Sequence, residues 1–324
     1  MNDGNTGELP APGAEGSDSS RTPAIHQNLI KAYLALMLLL PLAFLASAIP
    51  IVRSSSFPTE AEDPFLLNPD YAFSLKHVDC DVVIVGDSTA VTGLDPTVVA
   101  KTTGLKTCNI AQSRSAIELL GTLALDTYLQ YNRPPRYIIM QFAPETLVRD
   151  RNDFFWSEGF TLLLRRKSVL GALPVLMLHP VESYQFAVWA IKQKVRSLRR
   201  PPTDFSSTQT TFQEHGGLLV LPKPPETHCV NPIAFGRPTS SWIAELKNKY
   251  SNETTHVLVN ISPLPECAKG TDDLVKSTEG VIDNSITLYP IGLFCDLDRH
   301  LTLAGADRAS LELGHQLLQQ MALQ

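Results

Sequence analysis

Ser88 follows an unbroken apolar run, Val82-Val83-Ile84-Val85, and the turn Gly86-Asp87. A serine at that place is lifted off the end of a buried strand, and its hydroxyl becomes a candidate nucleophile. A hydroxyl is weak in that role and needs an adjacent base, which in turn needs an orienting group. Far downstream, Asp296-Leu297-Asp298-Arg299-His300-Leu301 supplies a histidine with acidic neighbours just before a final amphipathic stretch. Serine first, aspartate and histidine last, is a triad order. The chemistry implied is acyl transfer: His300 takes the Ser88 proton as the hydroxyl attacks an ester carbonyl, and water or a sugar hydroxyl resolves the acyl-serine. The bland alternative for Ser88 is a hydroxyl that closes a strand-to-loop turn. For His300 it is a polar residue at a helix N-terminus. The combination of a buried strand before the serine and an acid/histidine block at the far end of the chain favours catalysis.

The elements that must position these residues alternate between strand and helix. Val82 to Val85, Thr107 to Ala111, Tyr137 to Phe142 and His256 to Ile261 are short apolar or β-branched runs separated by helical patterns, as a parallel sheet requires. The fold class predicted is α/β, a flavodoxin-like three-layer α/β/α sandwich. Asp95-Pro96 reads as an N-cap and first-turn proline for a helix through Ala100, with Gly104 as its stop. Ser115 reads as the cap of a longer helix whose stripe includes Ile117, Leu120, Ala124 and Leu125. Thr302 reads as the cap of a last helix running through Leu311, Leu318 and Met321, which leaves His300 in a loop. In open α/β sheets ligands collect at the carboxyl ends of the strands, so the loops at Ser88, Gln112 to Arg114, Ala143 to Glu145 and Ser262-Pro263 are expected around one crevice.

These residues together resemble the SGNH/GDSL hydrolase superfamily, in particular its membrane-anchored branch of O-acyltransferases and esterases. The resemblance covers residues 78–324 with an interruption at about 150–240. "VVIVGDSTAVTGLDP" is similar to the block that carries the serine, "CNIAQS" to the second block, and "LFCDLDRHLTLAGA" to the final acid/histidine block. The resemblance implies an oxyanion hole built from the Ser88 backbone N–H, the Arg114 backbone N–H and a side chain such as Gln141. Arg114 stands where the family usually has glycine, and Gln141 or Glu145 where it usually has asparagine; an ionised Glu145 could not donate. The Asp-x-His spacing resembles the alginate O-acetyltransferase branch and points to Asp298 as the carboxylate that holds the imidazole tautomer, with Asp296 in reserve.

Ala32 to Val52 contains no charged residue and meets the ~20 apolar residues needed to cross a bilayer core. Residues 28–53 are therefore expected to form a single transmembrane helix, which tolerates Pro41. A cleaved signal peptide ending near Ala46-Ser47-Ala48 is the alternative. Arg21 and Lys31 precede the span, and Glu60, Glu62 and Asp63 follow Arg53, which puts the N-terminus in the cytoplasm and residues 78–324 in the periplasm or outside the cell. Residues 1–27 read as a disordered cytoplasmic tail and 54–77 as a linker. A formal charge of -6 gives no basic excess for nucleic acid, so no such partner is expected. The five cysteines lack metal-ligand spacing, and no metal or cofactor is expected; Cys229 and Cys267 are the favoured disulfide pair, with Cys80 and Cys108 read as free and buried.

The stretch 150–240 breaks the alternation. It reads as a helix-rich insertion from Phe160 to Arg199 followed by a Pro/Ser/Thr-rich segment. Lys192, Lys194, Arg196, Arg199 and Arg200 lie beside Phe186, Val188, Trp189 and Ile191, as a solvated helix face or as a surface for anionic lipid or acidic glycan. The expected function is that of a serine esterase or O-acyltransferase on acyl esters of a cell-envelope glycan, alongside envelope polysaccharide machinery. A general carboxylester hydrolase is the enzyme alternative. A catalytically impaired, SGNH-like polysaccharide-binding or assembly protein is the alternative from another class.

Overall fold

Four of the apolar runs become strands of one parallel sheet: β1 (Val82–Gly86), β2 (Thr107–Asn109), β3 (Tyr137–Phe142) and β4 (His256–Ile261), in the order β2-β1-β3-β4. Val82 stands opposite Thr107 on one side and Tyr137 on the other, and Tyr137 opposite His256. The computed structural model describes residues 24–54, 67–112, 122–148, 160–161, 163–165, 169–199, 212, 214–229, 241–296 and 299–323. Its helices are α1 (Ala24–Arg53), α2 (Leu67–Ser74), α3 (Ser88–Gly93), α4 (Pro96–Thr103), α5 (Thr122–Tyr131), α6 (Pro144–Val148), α7 (Val169–Leu178), α8 (Pro180–Ser197), α9 (Ser241–Tyr250), α10 (Thr271–Thr278) and α11 (Leu303–Ala322). Two short pairs complete it, β5 (Leu264–Pro265) with β6 (Leu288–Tyr289), and β7 (Phe294–Asp296) with β8 (His300–Leu301).

Every residue of β1 and β3 is buried, because helices cover both faces of the sheet. Val83, Val85, Ile138, Met140 and Val259 pack with Leu125 and Tyr128 of α5 and with Ile243 of α9. Val82, Ile84, Ile139 and Leu258 pack on the other face with Val91, Leu94, Val99, Leu313 and Leu317. The protein is thus a mixed α/β fold on a parallel sheet. Strand β2 ends at Asn109, two residues short of the expected run; beyond it the Ile110 and Gln112 N–H groups still donate to the Ile84 and Gly86 carbonyls of β1, and Asn109 Oδ1 accepts the Ala111 N–H. The predicted start and stop of α4 are present: Asp95 Oδ1 accepts the Thr97 N–H, and Gly104 takes φ 73° as the C-cap. Thr302 caps α11 as expected, but the buried face of that helix is Ala306, Ala309, Leu313 and Leu317, while Leu311 and Leu318 are exposed. The expected cap at Ser115, with Ile117 and Leu120, lies outside the described residues, whereas Ala124 and Leu125 are buried as expected.

Two segments read as peripheral contribute to the core. Ala72 and Phe73 of α2, in the stretch read as linker, are buried in the first cluster. Phe212, Leu218, Leu219 and Leu221, in the stretch read as insertion, are buried in the second, and the Leu219 N–H donates to Val91 O on α3. The surrounding Pro/Ser/Thr-rich composition concealed the Leu218–Leu221 run. Cys229 pairs with Cys267 as expected. Cys80 and Cys108, read as free, form a second disulfide, with Cα atoms 6.0 Å apart. Their separation of 28 residues conceals that Cys80 precedes β1 and Cys108 lies on the adjacent β2.

The chain divides into two units, Met1–Phe44 and Leu45–Gln324. In α1, Asn28–Arg53 is long and apolar enough to cross a membrane. The helix is continuous past Pro41. Of the tail read at residues 1–27, the stretch 24–27 belongs to the continuous helix α1 and is not disordered, and residues 1–23 lie outside the described residues.

Candidate active site at the carboxyl end of the sheet

The geometry around Ser88 starts with Gly86. Its φ is 152°, and a Cβ built there would lie 1.9 Å from the Gln141 carbonyl oxygen, so only glycine lets β1 finish this close to β3. Asp87 follows as the N-cap of α3, and its side chain is buried. Its Oδ1 accepts the Thr89 N–H at 2.9 Å and the Thr89 hydroxyl at 2.7 Å. Its Oδ2 accepts the Ala143 N–H at 2.8 Å and the Thr146 hydroxyl at 2.5 Å. A carboxylate has about four lone-pair positions, and all are used here. Asp87 is therefore a clamp between the turn that carries Ser88 and the loop from β3 into α6.

Ser88 is the first residue of α3 and is half-buried. Among the described residues, neither its hydroxyl nor its backbone N–H has a hydrogen-bond partner; its carbonyl accepts from Thr92 Oγ1. The other end of α3 is held by Asn109, fully buried, whose Nδ2 donates to the carbonyls of Ala90 and Leu94. Sequence reasoning assigned no role to Asp87 or Asn109. The signal available for Asp87 was its place as a capping residue directly before the serine.

His300 is half-buried in β8, paired antiparallel with β7, and not in a loop as expected. The reason is local: β7 and β8 lie close enough in sequence to close a short hairpin, and the Cys295 Sγ–H···O contact to Leu301 O at 3.4 Å accompanies that pairing. Strand β8 packs on α3, and a Cβ on Gly93 would lie 3.4 Å from Leu301 Cδ1. Beside His300, the Arg299 guanidinium makes an ion pair with Glu145 at 2.8 Å. Glu145 lies in the first turn of α6, whose loop Asp87 clamps. The structure therefore brings the Ser88 turn, the β3–α6 loop and the His300 hairpin into one contiguous set of contacts.

Asp298 and Arg114 lie outside the described residues. Asp296 occupies the strand position directly opposite His300. Gln141 is buried on β3, with its Nε2 unpartnered among the described residues and 3.6 Å from a Cβ built on Gly93, beneath the far end of α3 from Ser88. Gln112, past the end of β2, is also buried; its N–H donates to Gly86 O at the end of β1, and its Oε1 has no partner among the described residues.

Gln141 also lines a cavity of about 410 Å³ between β4 and α11. Asn260, Asn284, Ser285, Thr287 and Gln319 contribute carboxamides and hydroxyls to its wall, and Asn260 Nδ2 donates to Gln316 Oε1 at 2.8 Å. Neither Ser88 nor His300 lines it. A histidine–carboxylate contact joins His215 Nδ1 and Asp95 Oδ2 at 2.5 Å, beyond the C-terminal end of α3. The Asp95 carboxylate there also caps α4 through the Thr97 N–H and hydroxyl, so the contact fastens residues 212–221 to the core. Among the described residues no group of three or more His, Cys, Asp or Glu could hold a metal ion. The chain matches no protein-family model, no curated protein and no solved structure.

Proposed function

We propose that this protein is a serine esterase or O-acyltransferase of SGNH/GDSL type, built on a flavodoxin-like sandwich, that uses Ser88 as nucleophile and His300 as base. The observation that carries the reading is the linkage from Asp87 through the β3–α6 loop to the Glu145–Arg299 ion pair, which joins the serine turn to the histidine hairpin. In the proposed cycle, His300 takes the Ser88 proton as the Oγ attacks the ester carbonyl. The tetrahedral oxyanion receives the Ser88 backbone N–H, which has no acceptor among the described residues, and the Arg114 backbone N–H. His300 then returns its proton to the leaving alcohol. Water or an acceptor hydroxyl, deprotonated by the same imidazole, releases the acyl group. Asp298 holds the imidazole in this scheme. Asp296, whose backbone pairs with His300 across β7 and β8, is the alternative.

The substrate class proposed is an acyl ester of a cell-envelope glycan. An exported location is supported by the apolar α1 and by two disulfides, which persist in oxidising compartments. The carboxamide- and hydroxyl-lined cavity beside Gln141 suits the many hydroxyls of a sugar acceptor. A second reading, a polysaccharide-binding protein without turnover, is favoured by the burial of Gln141 beneath α3, away from Ser88. A fluorophosphonate probe separates the two. The full-length chain in detergent should label at Ser88, and labelling should be lost in Ser88→Ala and His300→Ala. Folded wild-type chain that does not label would refute the enzyme reading and leave the binding one.

A further inference from the structure

The helices α7 and α8 leave an apolar surface uncovered. α7 has no charged residue, and while Ala172 and Leu176 are buried, Leu170 is 80% exposed, Met177 71% and Leu178 76%. α8 buries Phe186, Ala187 and Ala190 on one side and exposes Val181, Val188, Val195 and, just past its end, Leu198 on another. That spacing repeats every seven residues and then three, so these side chains form a stripe along the helix. Lys192, Arg196 and Arg199 are exposed and follow Ile191, Val195 and Leu198 by one position, which places cations along the flank of the stripe. Soluble domains rarely leave a contiguous apolar surface of this kind open to water.

The hairpin is fastened to the end of the candidate span. Arg53 Nε donates to Leu164 O at 2.8 Å, and Arg165 Nε donates to Val52 O at 2.9 Å. Ala48, Val52, Phe160, Leu163 and Leu164 are buried there, and Phe160 meets Phe186 of α8 edge-to-face with ring centroids 5.5 Å apart. The residues leading into α7 thus hold the last turn of α1. We infer that α7 and the exposed stripe of α8 dock on the surface of an anionic phospholipid bilayer, the one α1 enters. The apolar side chains sink about 5–10 Å to the headgroup–acyl boundary, as in interfacial amphipathic helices. Lys192, Arg196 and Arg199 meet lipid phosphates, their stems lying along the apolar surface. This rests on α1 being a membrane span, and it makes the catalytic domain a membrane-apposed body in place of one on a loose tether.

The test uses the full chain in vesicles containing phosphatidylglycerol, with a fluorophore on a single introduced cysteine, since Cys295 is buried and the other cysteines are paired. Labels at Leu170→Cys and Met177→Cys, both exposed positions, should be quenched by lipid spin-labelled near the headgroup at least about threefold more than a label at Lys276→Cys on α10. A label at Leu36→Cys in α1 should be quenched by lipid spin-labelled at the chain end. Combining Lys192→Glu, Arg196→Glu and Arg199→Glu should reduce the shallow quenching at least about twofold, because each cation near an anionic surface adds to binding. Quenching at Leu36→Cys without quenching at Leu170→Cys and Met177→Cys overturns the docking alone. No quenching at any of the three overturns the span and the docking together. Energy transfer between copies labelled at Met177→Cys, in place of lipid quenching, makes the face a self-association surface and also overturns it. Shallow quenching unchanged by the three charge reversals overturns the anionic requirement.

Discussion

Replacing Asp87 by alanine tests whether this carboxylate is only a helix cap or the clamp that holds two loops of the candidate site together. The substitution leaves two buried backbone donors, the N–H groups of Thr89 and Ala143, without acceptors. Each orphaned buried donor costs about 1–3 kcal/mol, so the expected loss is about 2–6 kcal/mol. The hydroxyls of Thr89 and Thr146 can rotate to other partners and are left out of that figure. A capping role alone would cost typically about 1 kcal/mol. Urea-dependent pulse proteolysis of the full chain in detergent measures the difference. Asp87→Asn should fall between wild type and Asp87→Ala, because it keeps one acceptor oxygen while turning an amide N–H toward the other pair of donors. The fraction still folded should also react more slowly with a fluorophosphonate, since the clamp positions the Ser88 turn. A loss of about 1 kcal/mol or less with an unchanged labelling rate would refute the clamp and, with it, the physical link drawn between Ser88 and His300.

Two further outcomes are expected. If Asp298 orients His300, Asp298→Asn should sharply lower turnover of p-nitrophenyl acetate while leaving substrate binding intact, and Asp296→Asn should be mild; the opposite ranking assigns the role to the residue opposite His300 in β7, and a mild effect from both removes the acid from the mechanism. Burial raises the phenol pKa of Tyr71, Tyr128, Tyr250 and Tyr289 above 10, helped at Tyr250 by its hydrogen bond to Asp126. Their folded pKa values exceed the unfolded one, so their contribution to stability is complete below pH ~10 and is lost as pH rises above it. Absorbance near 295 nm should therefore show these four of the eight tyrosines ionising only with unfolding at alkaline pH; reversible ionisation of all eight near pH ~10 in folded protein would contradict their burial.

Much of the architecture was legible because its causes are local. The runs that became β1, β3 and β4 are continuous and apolar, and a strand covered on both faces has no reason to alternate. Asp95 and Thr302 act as N-caps, Pro96 as a first-turn residue and Gly104 as a stop through their own backbones and side chains, so their roles could be read where they stand. The length and apolarity of α1 are likewise properties of one segment.

What local reading missed depends on partners distant along the chain. The Cys80–Cys108 bond depends on which strands lie side by side, and the burial of Leu218 and Leu219 on which face α3 presents. Asp87 read as a turn residue because its second pair of donors, at Ala143 and Thr146, lies more than fifty residues away. His300 is a different case: its partner strand β7 is only a few residues away, but a two-residue strand is too short to display a period, so it read as loop. Sequence determined the residue types, the strand runs and the caps, since each follows from neighbours within a few positions. Tertiary structure alone decided which buried donors meet the Asp87 carboxylate and which loop the Arg299 guanidinium reaches. Those contacts arise only after the sheet order has brought separate strand ends together.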